Sequence, residues 1–227
     1  MSDVQTITIA AKCIPDEAIL ADIEKAGLTA VELYTNLSCL QNRERIKRIC
    51  GKFPFRYAIH APNDVYEPEL LAELVNELKA EVVVCHNIFW DDEWQLIAEV
   101  FKEIQTKFCI ENTYSVHEPL KFIRRYGMKR CLDIEHLQME CAGIFEEAFL
   151  PVIRETAHIH LTGYRYGSQL WHTHIHHSQE HNVYVLNLLK KAGYSGLVVS
   201  EAKVSLQTLA EFKNLRDFFL EWENRLF

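Results

Sequence analysis

Short apolar runs dense in Val, Ile, Leu, Cys and Phe alternate along the whole chain with stretches whose apolar residues recur every three or four positions. The first pattern is that of buried strands and the second that of amphipathic helices. Together they predict strands over residues 4–10, 30–34, 55–60, 81–86, 108–112, 129–133, 157–161 and 197–201. Helices are predicted between and after them, over 15–26, 43–50, 68–79, 91–106, 116–126, 142–155, 182–192 and 205–223. Pro15 and Pro68 open theirs in the first turn, where a missing N–H is harmless, and Gly27, Gly51, Gly127 and Gly193 close theirs.

Eight strand–helix units in 227 residues, about 28 each, lie near the lower size limit of a closed parallel barrel. A doubly wound open sheet is the competing α/β arrangement, but the first strand–helix turn has no G-x-G-x-x-G. No Pro/Gly/Ser-rich linker or low-complexity tract divides the chain. The expectation is one α/β domain over residues 1–227, a single (β/α)8 TIM barrel. Its longest connection, residues 162–181, follows the seventh strand, where such barrels often carry an active-site loop.

Composition narrows the partners. At 48% hydrophobic the chain can bury a full core, yet no apolar run is long enough to span a bilayer. The N-terminus lacks a basic region followed by an apolar one, so a soluble, unprocessed protein is expected. The seven cysteines contain no C-x-x-C pair and mostly lie in apolar runs, which fits reduced thiols and a cytoplasmic location. With 24 Lys and Arg against 32 Asp and Glu, the formal net charge is −8. Nucleic acid is therefore disfavoured as a partner. The one basic cluster, residues 43–48, has the spacing of a solvated helix face.

Polar residues at the strand ends carry the chemistry. Six predicted strands carry a polar residue at or next to their ends: His60, His86, Glu111, Asp133, His160 and Glu201. Alternation turns the preceding Ile59, Cys85, Ile110, Leu132, Ile159 and Ser200 toward the helices, so all six polar side chains point into the barrel at its C-terminal mouth. A single one would be an ordinary satisfied core residue. Gathering three carboxylates costs several kcal/mol unless cations or protons compensate, and a divalent metal does so economically. A mixed imidazole and carboxylate set makes zinc or manganese the leading expectation, with magnesium, cobalt or iron as alternatives.

Seven of the eleven histidines (His158, His160, His172, His174, His176, His177 and His181) lie within residues 158–181. His172, His174 and His176 alternate, so an extended segment would show all three on one side. His136, three residues after Asp133, is close enough to aim at the same mouth. His177 and His181 are expected to be exposed, and His117 to be a surface residue. Glu32, inward on the second strand, is expected to contact substrate or orient a ligand. Trp90, Trp94 and Trp171 are candidates for the pocket wall, though aromatic residues beside helices are more often core.

These residues resemble the xylose-isomerase-like TIM barrels, which include sugar and sugar-phosphate isomerases and epimerases and the endonuclease IV type of apurinic endonucleases (AP endonuclease family 2). The resemblance covers nearly the whole chain. It rests on Ala-Val-Glu-Leu-Tyr at 30–34, Ile-His-Ala-Pro at 59–62, Ile-Glu-Asn-Thr at 110–113, Leu-Asp-Ile-Glu-His at 132–136, Ile-His-Leu at 159–161 and Ala-Gly-Tyr-Ser-Gly-Leu-Val-Val-Ser-Glu at 192–201. The isomerase pattern implies one divalent ion held by Glu111, Asp133, His160 and Glu201, with Glu111 and Glu201 also moving protons beside a carbonyl. It implies substrate contacts from His136 and from an arginine near Arg165, with Glu32 and Trp171 as further substrate-binding candidates. The endonuclease pattern implies a three-zinc cluster, and His60, His86, Glu111, Asp133, His136, His160, His176 and Glu201 match its ligands. Where that pattern has an Asp, this sequence has His174, itself able to bind zinc.

The chain departs from the endonuclease pattern in being short and acidic, in lacking a basic DNA-facing loop, and in carrying Ser178-Gln179-Glu180-His181 in place of a Gly-Glu-Gly turn. The first expectation is therefore a metal-dependent isomerase or epimerase acting on a small sugar-like or sugar-phosphate substrate. A multi-zinc phosphoesterase is the alternative, and a non-catalytic metal- or ligand-binding barrel the third reading. Barrels of this kind often pair, so a homo-oligomer is an open expectation.

Overall fold

The computed structural model describes residues 6–140 and 146–225. Eight parallel strands close into a barrel in sequence order: β1 (Ile7–Cys13), β2 (Ala30–Tyr34), β3 (Arg56–His60), β4 (Val82–Cys85), β5 (Lys107–Glu111), β6 (Lys129–Asp133), β7 (Thr156–Leu161) and β8 (Gly196–Ser200), with β8 pairing back onto β1. This is the (β/α)8 barrel that the alternating pattern predicts. No helix among the described residues is long and apolar enough to cross a membrane.

The main covering helices are α1 (Glu17–Ala26), α2 (Leu37–Gln41), α3 (Arg43–Cys50), α4 (Pro68–Leu78), α5 (Asp91–Val100), α6 (Leu120–Tyr126), α7 (Ile134–Glu140), α8 (Leu150–Arg154), α9 (Gln179–Lys191) and α10 (Leu209–Asn224). Their starts and stops follow local chemistry. Asp16 caps α1 by accepting from the amides of Ala18 and Ile19, and Gly27 ends it at φ +84°, a conformation that strains any side chain. Pro68 occupies the first turn of α4. Two short helices, α2 and α7, are not evident from periodicity because five to seven residues are too few to show it. The helix expected over 142–155 is a 3-10 turn at Glu147–Phe149 followed by α8, and residues 142–145 lie outside the described residues.

Barrel packing separates two cores. Ile59, Cys85, Ile110, Leu132 and Ile159 face outward into the large cluster shared with the helices. Inside, a layer of small or slender residues fills the narrow tube: Ala10, Ala30, Ala58, Val82, Val84, Cys109, Cys131, Leu197 and Val199. Two residues further along each strand the interior turns polar. Strand β1 differs from expectation by running on through Lys12 and Cys13, while Val4 and Gln5 lie outside the described residues. A lysine in an apolar run reads as a strand boundary. Here Lys12 is inside, 5% exposed, because buried carboxylates receive it.

Candidate metal centre at the barrel mouth

Every strand delivers a polar group to the layer above the apolar plug: Lys12, Glu32, His60, His86, Glu111, Asp133, the pair His158 and His160, and Glu201. The period of two along a strand produces this, since each except His158 follows an inward Ala, Val or Cys by two positions or, for His160, follows the inward His158.

Glu111 stands at the centre. Its Oε1 lies 3.3 Å from His86 Nε2 and 3.4 Å from His136 Nδ1. Its Oε2 lies 3.3 Å from His60 Nε2 and 3.1 Å from His160 Nδ1. His160 Nδ1 is also 3.2 Å from Glu201 Oε2 and 3.8 Å from Asp133 Oδ2. Neighbouring donors around an ion bonded at about 2.0–2.2 Å stand roughly 3–3.5 Å apart, so most of these spacings fit the edges of a coordination shell.

Tautomers decide which atoms are free. His160 Nε2 donates to Glu32 Oε2 at 3.1 Å, so in the neutral ring Nδ1 turns its lone pair toward Glu111, Asp133 and Glu201. His158 Nε2 donates to the same Glu32 at 2.7 Å and fixes that carboxylate from below. His60 repeats the device: its Nδ1–H donates to the Ala61 carbonyl at 2.9 Å, which leaves the Nε2 lone pair facing Glu111. Lone pairs aimed at carboxylate oxygens repel unless a cation or proton lies between them. His160 Nδ1 and Glu201 Oε2 are buried without a hydrogen-bond partner, which is costly for polar atoms unless a ligand satisfies them. The donor set therefore fits a divalent ion.

Charge leads to the same conclusion. Burial works against charge on Lys12, yet Glu201 at 2.6 Å and Glu32 at 3.5 Å hold its ammonium above the ordinary value. Burial would raise Glu32, Glu111 and Glu201, but His160 and Lys12 beside Glu32, the surrounding imidazoles on Glu111, and Lys12 with His160 on Glu201 hold all three low. Burial, with the charges of Glu111 and Glu201, pushes the Asp133 carboxyl up to about 7 against the opposing pull of His136. Without an ion these carboxylates thus depend on Lys12 and on charged imidazole, chiefly His160, whose pKa is raised well above its ordinary value; a divalent ion would take over that role and leave His160 Nδ1 free to coordinate. Asp133 is fixed in place by Asn112, whose Nδ2 donates to its carbonyl at 3.0 Å and whose Oδ1 accepts from its amide at 2.9 Å.

Above this layer opens a cleft of about 330 Å³, floored by Lys12, His60, His86, Glu111, His136 and Glu201 and walled by Tyr34, Asn63, His172, Lys203 and Gln207. Glu32 lies beneath that floor, fully buried and outside the cleft lining, where it is placed to orient His160.

Four expected site residues are elsewhere. The extended segment that would align three histidines does not form, because His172 takes φ +44° and turns the chain. His172 alone reaches the cleft. His174 is buried outside the barrel wall, where its Nε2–H donates to the Leu206 carbonyl at 3.2 Å and its Nδ1 accepts from the Ser200 hydroxyl at 2.9 Å. Both nitrogens are used, so it has no lone pair to offer a metal. His176 faces Glu211 of α10 and not the mouth. Arg165 borders a separate depression with Gln138 and His181, and Trp171 stacks on Tyr164 with ring centroids 4.0 Å apart; neither lines the cleft. His177, His117 and Trp90 are exposed and Trp94 is core, whereas His181 is half-buried beside Gln138.

Lys12 was given no role from the sequence, and His158, expected there only as a buried strand histidine more suited to chemistry or a metal than to filling space, instead fixes Glu32. The signal for both is the same, a charged or ring-nitrogen side chain at an inward position of a strand.

Neither a protein-family model nor a curated protein sequence matches the chain. Solved structures do. The D-allulose 3-epimerase of Methylomonas sp. superposes with a TM-score of 0.68 at 13% identity, covering 96% of this chain and 98% of its own. An L-ribulose 3-epimerase gives 0.64 at 14% identity, over 97% of this chain and 95% of that one. A Thermus thermophilus protein soaked with zinc chloride gives 0.65 at 15% identity, over 95% and 98%. The chain is thus similar to whole sugar-epimerase barrels in fold, with strands and helices matched almost end to end.

Proposed function

We propose that the protein is a divalent-metal-dependent enzyme of the isomerase or epimerase type, acting on a small sugar or sugar-phosphate with a carbonyl beside a hydroxyl-bearing carbon. One observation carries the reading. Glu111, Asp133, His160 and Glu201 converge from four strands, and two of these carboxylates also face a cleft of sugar size. The same four residues form the metal quartet of the isomerase pattern that the sequence resembles, and the fold shared with the two epimerases supports the choice.

Glu111, Asp133, His160 and Glu201 would hold the ion, which supplies Lewis-acid stabilisation of negative charge on a substrate oxygen. The chain's own groups do the rest. Glu111 and Glu201 are placed to take a proton from the carbon beside the carbonyl and to return one. Lys12 keeps Glu201 oriented through Oε1, leaving Oε2 toward His160. His60, His86 and His136 stand around Glu111 as hydrogen-bonding partners for substrate hydroxyls.

A second reading has its own support. His60, His86 and Glu111 form a donor group adjoining that of Glu111, Asp133 and His136, with Glu111 common to both. A carboxylate shared by two ions is a feature of metal clusters that hydrolyse phosphoesters.

Incubation of the metal-loaded protein with ketoses and ketose phosphates in deuterated water separates the two. Deuterium entering beside the carbonyl, followed by proton NMR, supports the isomerase. Phosphate release without exchange supports the hydrolase and overturns the first reading.

A further inference from the structure

A second cluster of donors lies on the outer side of the barrel wall, where the 3-10 turn Ile175–Ser178 meets α10. His177 Nε2 is hydrogen-bonded to Glu211 Oε2 at 2.9 Å, and His176 Nε2 approaches the same oxygen at 3.0 Å. One donor atom from each residue lies within 4.8 Å of the others. The rings of the two histidines stand 4.4 Å apart, tilted by 32°. Adjacent residues seldom point the same way, and the tight turn here makes them do so.

Glu211 is fixed from its own side. It stands in the first turn of α10, and its amide donates to the Thr208 hydroxyl that caps the helix. His176 is the second observation that points to a ligand. Its side chain is only 9% exposed, and neither ring nitrogen has a hydrogen-bond partner, although Nε2 is 3.0 Å from the carboxylate. Such a short approach without hydrogen-bond geometry is what two ligands of one ion show. The mouth does not satisfy it, because His174 is bonded to Ser200 and Leu206 and lies between the cluster and the wall.

We propose that His176, His177 and Glu211 bind a divalent transition-metal ion of the zinc class, independently of the barrel mouth. Two imidazoles and a carboxylate suit zinc, cobalt or nickel over magnesium or calcium, and the fourth position is left to solvent. His177, with 31% of its side chain exposed, provides the entry path. The ion clips the connection after β7 to the C-terminal helix. That connection also carries His172, whose carbonyl accepts from the Lys203 amide at the edge of the cleft.

The test uses the full chain with the mouth disabled by Glu111→Gln and His160→Gln, loaded with one to two equivalents of zinc chloride, dialysed and analysed for metal. One zinc per chain is expected to remain, with a thermal transition that rises on zinc addition. Adding His177→Gln and Glu211→Gln should remove both the zinc and the shift. A second measurement compares the unaltered protein with the H177Q/E211Q variant, which should hold one equivalent less and lose the absorption bands of tetrahedral cobalt when cobalt replaces zinc. Uptake unchanged by H177Q/E211Q in both backgrounds would overturn the proposal. The outcome does not depend on the catalytic reading, since the mouth's own metal is counted separately.

Discussion

At the residue scale, Glu32 and Lys12 hold the metal donors in place from beside and below. Glu32 contacts no cleft, yet it fixes the tautomer of His160 by accepting from Nε2. Glu32→Gln should leave a folded barrel whose affinity for metal at the mouth falls roughly 10- to 100-fold, the usual effect of losing such an outer partner. Competition against a coloured chelator reads this directly. Lys12 makes a complementary prediction. Removing one partner of a buried ion pair costs about 3–5 kcal/mol, so Lys12→Met should lower the thermal transition of the ion-free protein sharply. Metal should restore much of that loss, because the ion neutralises Glu201 in the lysine's place. Equal destabilisation with and without metal would show that Lys12 does not share its carboxylates with an ion.

At the scale of elements, the connection from β7 to α9 is where the sequence was hardest to read. Its alternating histidines have the spacing of a strand, and that spacing alone cannot register a single residue at φ +44°. The strands themselves were legible because both of their faces are apolar for most of their length, and the inward direction followed from parity alone. The polar ends of β3 to β8 were visible on the same grounds. Lys12 was not, because a lysine inside a strand is recognisable only once its partners on β2 and after β8 are known, and those are distant in sequence. His174 tests the revised placement. His174→Ala should cost about 1–3 kcal/mol by stranding Ser200 and the Leu206 carbonyl, while the metal content of the mouth stays unchanged. Gly163→Ala should also destabilise, because the added Cβ would lie 2.9 Å from the His174 carbonyl oxygen, and a lowered melting temperature would record it.

At the scale of the whole molecule, the barrel is a device for bringing distant residues together. No two members of Glu111, Asp133, His160 and Glu201 are closer than twenty-two positions in the chain, yet closure of β1 against β8 sets their donors around His160 Nδ1. A ligand that binds only the closed barrel stabilises it by mass action, by about 4 kcal/mol when its concentration is a thousand times its Kd. Removing metal with a chelator should therefore lower the melting temperature measurably, and zinc or manganese should restore it. Sequence showed which groups converge but not what they recognise. The cleft walls Asn63, His172, Lys203 and Gln207 come from connections whose paths depend on tertiary packing.

The most direct measurement is an anomalous difference map from crystals loaded with zinc or manganese, recorded on both sides of the metal's absorption edge. A peak is expected at the mouth within bonding distance of His160 Nδ1 and of oxygens from Glu111, Asp133 and Glu201. A map with no peak there at full metal loading would contradict this assignment.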